Sequence, residues 1–209
     1  GRSPLAVAEV MRLARELASA LAAVHEAGLL HADLKPANIV RDADGRFVLT
    51  DFGLGRRPWS RAGAPTPSGT PMYMAPELFA SAPASERSDL YSLGMVLWFA
   101  LTGRHAFDST SLPGLIEDTK RGPAARLATL RPDAPAALVA IIERAIAPAP
   151  EARFVSAREL AAALDAVAVT APSVAPRTAT SKRAANVRML LITVAASVLA
   201  VVVQRYATG

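Results

Sequence analysis

The sequence predicts a mainly helical domain that contains one short β-hairpin. Residues 5–27 place apolar side chains at three- and four-residue spacing, the pattern of an amphipathic helix. Residues 89–101 are apolar on nearly every side, which is typical of a helix surrounded by protein. Between them, the apolar runs 39–40 and 47–49 flank the turn sequence Asp-Ala-Asp-Gly at 42–45, and this arrangement predicts a hairpin.

The composition is that of a folded domain rather than a disordered chain. Of the 209 residues, 52% are hydrophobic and 20% are charged, which is enough apolar material for a substantial core. The absence of cysteine excludes disulfides, zinc–thiolate sites and cysteine nucleophiles. The formal net charge of +5 is modest and indicates a solvated, arginine-rich surface. We therefore expect no nucleic-acid partner.

Further helical patterns make the second half of the domain all-helical. They cover residues 112–120, 136–147 and 156–167. The first helix has start and stop signals of its own, since Ser3 is a favoured N-cap and Gly28 a favoured helix end. We expect one domain over residues 1–168.

A group of polar residues surrounds the predicted hairpin. Asp33, Lys35 and Asn38 stand between apolar residues just before it, and Asp51 follows its second strand. The hairpin would bring Asn38 and Asp51 together, because the two residues flank its open end. Amide and carboxylate oxygens are ligands that suit Mg²⁺, and Asp33 would then be free to orient a hydroxyl nucleophile.

At these residues the chain resembles the eukaryotic-type Ser/Thr protein kinases. The segment from His31 to Asn38 is similar to the H-R-D-L-x-x-x-N motif, and Asp51-Phe52-Gly53 to the D-F-G motif. Ala75-Pro76-Glu77 matches A-P-E, and the run Asp-Leu-Tyr-Ser-Leu-Gly at 89–94 follows it. Four motifs in family order make chance coincidence improbable. The resemblance implies the large C-terminal lobe of a kinase, without a counterpart of the small N-terminal lobe.

The resemblance also implies roles for the polar residues. Asp33 would be the catalytic base and Lys35 would neutralise the transferred phosphoryl group of ATP. Asn38 and Asp51 would hold Mg²⁺. A threonine at the position of Thr70 bonds the catalytic aspartate and the lysine in the family, which fits a site for Ser/Thr-bearing protein substrates.

Four further residues are expected to support the site. We interpret His31 as a packed, hydrogen-bonded support for the catalytic loop rather than a proton carrier. By resemblance, Asp89 hydrogen-bonds the backbone of that loop from below, and Glu77 pairs with Arg153. If that pair is buried, loss of one partner would cost about 3–5 kcal/mol.

Ala32 departs from the family pattern. An arginine normally stands there and pairs with a phosphorylated residue of the activation segment, residues 51–77. Ser60, Thr66 and Ser68 lie in a Pro-, Ser- and Gly-containing stretch of that segment and are possible phosphosites, although the sequence favours ordinary loop hydroxyls. We therefore expect activity not to depend on their phosphorylation.

The C-terminal part of the chain is predicted to attach the domain to a membrane. Residues 169–186 are rich in Pro, Ala, Ser, Thr and basic residues and are typical of a flexible linker. Met189–Val203 then contains no charge, and we expect a transmembrane helix over 187–206. The run reaches only about 22 Å against a hydrocarbon core of about 30 Å. A buried helix of the domain is the alternative.

Two functions of different class fit these observations. The first is a membrane-tethered Ser/Thr protein kinase, similar to the bacterial receptor-type kinases, with its kinase lobe in the cytoplasm. The second is a catalytically inactive, membrane-anchored kinase-like binding module, which Ala32 and the missing upper lobe favour. A small-molecule kinase is disfavoured by the A-P-E segment and Thr70. In either case we expect the 209-residue chain alone to be inactive, because half of the nucleotide cleft is missing.

Overall fold

The computed structural model describes residues 3–51 and 70–167. The chain divides into two units, Gly1–Thr170 and Ala171–Gly209, and the described residues belong to the first. The described residues are mainly helical with one two-stranded sheet, as the sequence predicts. Among the described residues, no helix is both long enough and apolar enough to cross a membrane. The predicted span at 187–206 lies outside them.

The first helix, α1, runs from Val7 to Glu26 and buries one face in the core. Its buried positions follow the predicted spacing and are Val10, Met11, Leu13, Ala14, Leu17, Ala18, Leu21 and His25. The prediction that Ser3 caps the helix is wrong, because the N-cap is Ala6 and makes no side-chain cap bond. Instead, the backbone amide of Leu5, just before the N-cap, donates to the carbonyl of Ala100. This bond fixes the segment that enters α1.

The longest apolar segment forms α3, Glu86–Thr102, which is the central helix. It begins three residues earlier than predicted, because Ser85 and Ser88 form a reciprocal capping box. It ends at Gly103, whose φ of 73° places it in the left-handed region where glycine is favoured. Most of its side chains are buried on all sides, as its apolar sequence predicts.

The remaining helices are shorter than α1 and α3. The helices are α2 (Pro76–Phe79), α4 (Leu112–Arg121), α5 (Leu127–Leu130), α6 (Ala136–Ala145) and α7 (Ala157–Asp165). Single 3₁₀ turns occur at Pro36–Asn38, Thr70–Tyr73 and Pro150–Ala152. The predicted helices at 112–120, 136–147 and 156–167 are therefore present with small shifts at their ends. The short elements had no sequence signal, because one helical turn has too few residues to show periodicity.

Gly94 allows α6 to approach α3 closely. A Cβ atom at Gly94 would lie 2.6 Å from Cγ2 of Ile146 and 2.9 Å from Cβ of Ala145. Ile146 and Ala145 are themselves buried. Glycine is therefore required there by space rather than by backbone conformation.

The predicted hairpin consists of β1, Ile39–Arg41, and β2, Phe47–Leu49. The strands are antiparallel, and Ile39 lies opposite Leu49. The hairpin packs on α1, where the amide of Phe47 donates to the carboxylate of Glu16 at 2.7 Å. This contact fixes the hairpin, and with it the polar residues at its open end, against the core.

A buried ion pair joins α2 to the segment before α7. Both terminal nitrogens of Arg153 bond the carboxylate of Glu77, at 2.7 and 2.8 Å. The Arg153 side chain is completely buried, and it also donates to the carbonyls of Ala147, Pro148 and Arg87. Because the side chain has no contact with water, its positive charge is stabilised by its protein partners.

We expect Glu77→Gln to lower the free energy of unfolding by about 3–5 kcal/mol, because it leaves a buried guanidinium without its counter-charge. Urea denaturation of the 209-residue chain measures this loss. Glu117→Gln is the matched control, since Glu117 pairs with Lys120 at 2.9 Å but both side chains are more than half exposed. Its cost should stay below about 1 kcal/mol. Equal losses in the two variants would contradict the structural role of the Glu77 pair.

Candidate active site

The loop that carries Asp33 is held from below by one buried carboxylate. Asp89 accepts from the backbone amides of His31, at 2.8 Å, and Ala32, at 2.9 Å, one to each carboxylate oxygen. Asp89 is only 2% exposed and lies in the first turn of α3. The first turn of the central helix therefore fixes the backbone immediately before Asp33.

His25 also bonds Asp89, a contact that the sequence pattern did not indicate. Its Nε2 lies 3.0 Å from Oδ2 of Asp89, and its Nδ1 lies 3.5 Å from Oε2 of Glu86. The available signal was its place in the last turn of α1 and on the buried face of that helix. Tertiary packing of α1 against α3 was needed to give it a partner.

His31 is fully buried and uses both ring nitrogens within the site. Its Nε2 lies 3.2 Å from the carbonyl oxygen of Thr50, and the amide of Asp33 donates to its Nδ1 at 3.4 Å. A ring that accepts at Nδ1 and donates at Nε2 is the neutral tautomer. Burial lowers the pKa of His31 below its ordinary value, against the attraction of Asp89, which is consistent with that tautomer. His31 thus bridges the loop and the end of β2.

Asp33, Lys35 and Asn38 form one hydrogen-bonded group. Nζ of Lys35 lies 2.6 Å from Oδ2 of Asp33. The side-chain amide of Asn38 donates to the backbone carbonyl of Asp33 at 2.8 Å and to the same Oδ2 at 3.3 Å. The Asp33 and Lys35 side chains remain 18% and 20% exposed, so the carboxylate is reachable from solvent. One oxygen of Asp33 is thereby fixed, while Oδ1 remains able to accept a proton from a hydroxyl.

The hairpin places Asn38 and Asp51 at its open end. The amide of Thr50 donates to the carbonyl of Asn38 at 2.9 Å, and Asp51 is the next residue, with an exposed side chain. The backbone of Asp51 has φ 54° and that of Ala32 has φ 61°, both in the left-handed region. Such strain in non-glycine residues is characteristic of functional sites, where surrounding contacts impose the conformation.

These residues fit a magnesium ion of the type that is shared with a phosphate substrate. The amide nitrogen of Asn38 is directed at Asp33, so its side-chain oxygen does not make these bonds and could serve as a ligand. Within residues 3–51 and 70–167, no three His, Cys, Asp or Glu side chains are grouped to hold a metal by themselves. Mg²⁺ usually takes one or two protein ligands and completes its shell with phosphate and water, so a small donor set is compatible with it.

The remaining site predictions fall partly outside the described residues. Ser60, Thr66 and Ser68 lie in the undescribed stretch 52–69. Thr70 begins the turn Thr70–Tyr73, which is tied to α3 because the hydroxyl of Ser92 donates to the carbonyl of Tyr73 at 2.8 Å. The contribution of Ser92 had no signal in the sequence.

The candidate active site is thus a polar loop beside a hairpin, anchored on the buried helix α3. Residues 2–162 match the protein kinase domain family. The chain belongs to the protein kinase domain family. The resemblance drawn from the four motifs is therefore confirmed.

The relatives are bacterial Ser/Thr protein kinases. The chain is 36% identical over 172 residues to "Serine/threonine-protein kinase PknE" of Mycobacterium tuberculosis, which covers 81% of this chain and 30% of the relative. It is 35% identical to PknH of Mycobacterium bovis, covering 77% of this chain and 27% of the relative. It is 37% identical to PknD of Mycobacterium tuberculosis, covering 77% and 24%. The chain thus spans less than a third of the length of each of these relatives.

A solved structure has the same fold. The crystal structure of Rad53 residues 1–466 in complex with AMP-PNP superposes with a TM-score of 0.63. The match covers 76% of this chain and 40% of that chain at 24% sequence identity. At this identity the likeness supports the fold alone.

We expect Asp89→Asn to destabilise the domain by at least about 2 kcal/mol, because the loop amides of His31 and Ala32 lose a charged acceptor. Hydrogen exchange of those two amides, together with urea denaturation, localises the loss. Asp165→Asn is a suitable comparison, since Asp165 pairs with Arg15 at 3.3 Å but is 73% exposed. Its effect should be under about 1 kcal/mol. If exchange at His31 and Ala32 is unchanged in Asp89→Asn, the anchoring role is wrong.

Proposed function

We propose that the protein to which this lobe belongs is a Ser/Thr protein kinase that transfers the γ-phosphoryl group of ATP to a protein hydroxyl. The observation that carries the proposal is the hydrogen-bonded group of Asp33, Lys35 and Asn38 in a protein kinase domain. These three side chains meet on a loop whose backbone is fixed by Asp89. The Ser/Thr relatives support the class of acceptor.

In the proposed reaction, Asp33 accepts the hydrogen of the substrate hydroxyl through its free oxygen and so orients the hydroxyl oxygen toward the phosphorus. Lys35 is already held beside Asp33 and places a positive charge where the transferred phosphoryl group carries negative charge. Asn38 keeps the Asp33 carboxylate in place and, with Asp51, would hold Mg²⁺. When bound, Mg²⁺ supplies charge neutralisation of the phosphates. Thr70 is proposed to contact the substrate side of this group.

The ATP and magnesium assignments rest on the family and on the donor set. The Rad53 structure is described as a complex with AMP-PNP, a statement about that protein. In this chain, the neighbouring Asn38 and Asp51 supply the oxygen ligands that a phosphate-bound Mg²⁺ needs. Because the lobe spans less than a third of PknE, we propose the activity for a protein that also contains an upper lobe.

A catalytically inactive, membrane-anchored kinase-like binding module is the second candidate. Ala32 favours it, because that position lacks the cationic side chain that is usual beside the catalytic aspartate. If the protein is a kinase, Ala32 predicts that phosphorylation of Ser60, Thr66 or Ser68 is not needed for activity. The reason is that a phosphate requires a cationic partner, and alanine does not supply one. Retention of all four polar residues at the reaction centre favours the kinase over the module.

We expect Asp33→Asn and Asp51→Asn each to lower phosphate transfer at least about a hundredfold, because transfer depends on positioning and on charge stabilisation. The assay measures radiolabelled phosphate on a Ser/Thr protein, using this lobe joined to the small N-terminal lobe of a Ser/Thr protein kinase. Asp165→Asn, on the exposed end of α7, is the control and should retain full activity.

Three outcomes of this assay are informative. Undiminished transfer by Asp33→Asn or Asp51→Asn contradicts the role assigned to that residue. Absence of transfer by the unsubstituted protein, with both lobes folded and ATP bound, contradicts the kinase and supports the binding module. Loss in the two active-site variants alone supports the proposal.

We also propose that the protein is held in a membrane by one span within 187–206, with the kinase lobe in the cytoplasm. The support comes from the sequence, because Met189–Val203 contains no charged residue. This run lies outside the described residues. On the kinase side, four basic residues precede the run at 177, 182, 183 and 188, against Arg205 alone beyond it. Positive charge marks the cytoplasmic side of a span.

We expect the 209-residue chain to remain in membranes after an alkaline carbonate wash, and a version ending at Val169 to be released. The apolar run of the longer chain buries in lipid, whereas the truncated version has no such segment. Release of both versions would show that the span is wrong. Digestion of the kinase lobe by protease added outside intact cells would show that the orientation is wrong.

A further inference from the structure

Three aromatic rings meet beside the Thr70–Tyr73 turn, outside the group formed by Asp33, Lys35 and Asn38. The ring centroids of Phe99 and His105 lie 5.0 Å apart with a tilt of 32°. Tyr73 meets both rings edge-on, at 5.6 Å from His105 and 6.5 Å from Phe99. We call Tyr73, Phe99 and His105 the aromatic triad. Such edge-on and tilted contacts are favourable beyond the area that they bury.

The triad is built by the end of α3. Phe99 lies in the last turn of this helix, and Gly103, in the left-handed conformation, turns the chain so that His105 returns to contact Phe99. The hydroxyl of Thr102 accepts from the amide of Arg104 at 3.3 Å and stabilises this reversal. His105 is therefore positioned by the helix end, and not by the turn that it contacts.

The turn depends on α3 at two places. The hydroxyl of Ser92 donates to the carbonyl of Tyr73, and Phe99 with His105 contacts its ring. Tyr73 is 6% exposed and Met74 is 7% exposed, so the turn is packed rather than loosely attached. Movement of His105 would remove its contact with the Tyr73 ring.

His105 is the ionisable imidazole of the triad. Desolvation lowers the pKa of His105 below its ordinary value, against the attraction of the Asp108 carboxylate. The groups that it meets from α3 and from the turn are the uncharged rings of Phe99 and Tyr73. Because the folded state binds the proton less well than an opened state, acidification below about pH 6.5 favours opening. Above that pH the contact of His105 with Phe99 and Tyr73 makes its full contribution to stability.

We infer that His105 is a positioning residue for the Thr70–Tyr73 turn, and that its protonation loosens the turn and weakens the binding of protein substrate. The part concerning substrate rests on the proposed function, in which this turn contributes to the substrate site. The part concerning the turn rests on the triad alone. The affinity for the protein substrate is therefore expected to fall when the pH is lowered.

Hydrogen exchange of the 209-residue chain tests the positioning directly. The reporter is the amide of Met74, which donates to the carbonyl of Pro71 at 3.2 Å, and the reference is the amide of Leu17 in the core of α1. After correction for intrinsic rates, we expect Met74 protection to fall severalfold between about pH 7.5 and about pH 5.5, on either side of the ordinary histidine pKa. Leu17 protection should change less, because it reports global unfolding.

Two variants separate ring contact from protonation. His105→Phe keeps an aromatic ring and cannot be protonated, so Met74 protection should be the same at both pH values. His105→Ala removes the ring, so protection should be low at both. The inference is overturned if His105→Phe keeps the pH dependence of the wild type, or if Leu17 and Met74 change in parallel.

The substrate part is tested in the form that also carries an upper lobe. We expect the KM for a Ser/Thr protein substrate to rise severalfold on acidification in the wild type but not in His105→Phe, while the KM for ATP changes equally in both. If Met74 responds as expected and the substrate KM does not, the positioning role stands and the assignment of this turn to the substrate site fails. If neither responds, the role of His105 itself is wrong.

Discussion

The site depends on the buried carboxylate of Asp89. It accepts from two consecutive backbone amides of the loop that carries Asp33 and also bonds His25 of α1. A buried carboxylate is stable only when its oxygens are bonded, so the loop, α1 and α3 must come together in one arrangement. The backbone of Ala32 has a positive φ within that arrangement. The anchor thus offsets local strain and presents Asp33 to solvent.

The same principle operates at the other end of the lobe. Arg153 is buried in a set of carbonyls and the Glu77 carboxylate, and this pair links the A-P-E segment to the chain before α7. Close packing of α6 on α3 at Gly94 leaves little freedom for α3 to shift. The central helix therefore carries Asp89 in its first turn and Phe99 in its last, so that the loop that carries Asp33 and the Thr70–Tyr73 turn share one support.

Much of the site could be predicted before the structure because its chemistry is local in sequence. Asp33, Lys35 and Asn38 lie within six positions and are bonded to one another, and the hairpin bonds Thr50, the residue before Asp51, to Asn38. His25, Ser92 and His105 could not be assigned in this way. Their partners are respectively 64, 19 and 32 residues away, and nothing in the local sequence indicates which side chain will lie opposite.

The sequence by itself determined the helical class, the long helices, the hairpin and the identity of the polar residues, because periodicity and turn chemistry act over a few residues. It misplaced the start of α1, since Ala100 rather than Ser3 satisfies the entering segment. Only the tertiary structure decided which other buried polar groups meet, including His25 with Asp89 and Arg153 with its carbonyls. Such pairings are selected by burial, because a polar group removed from water must find its partner wherever the fold provides one.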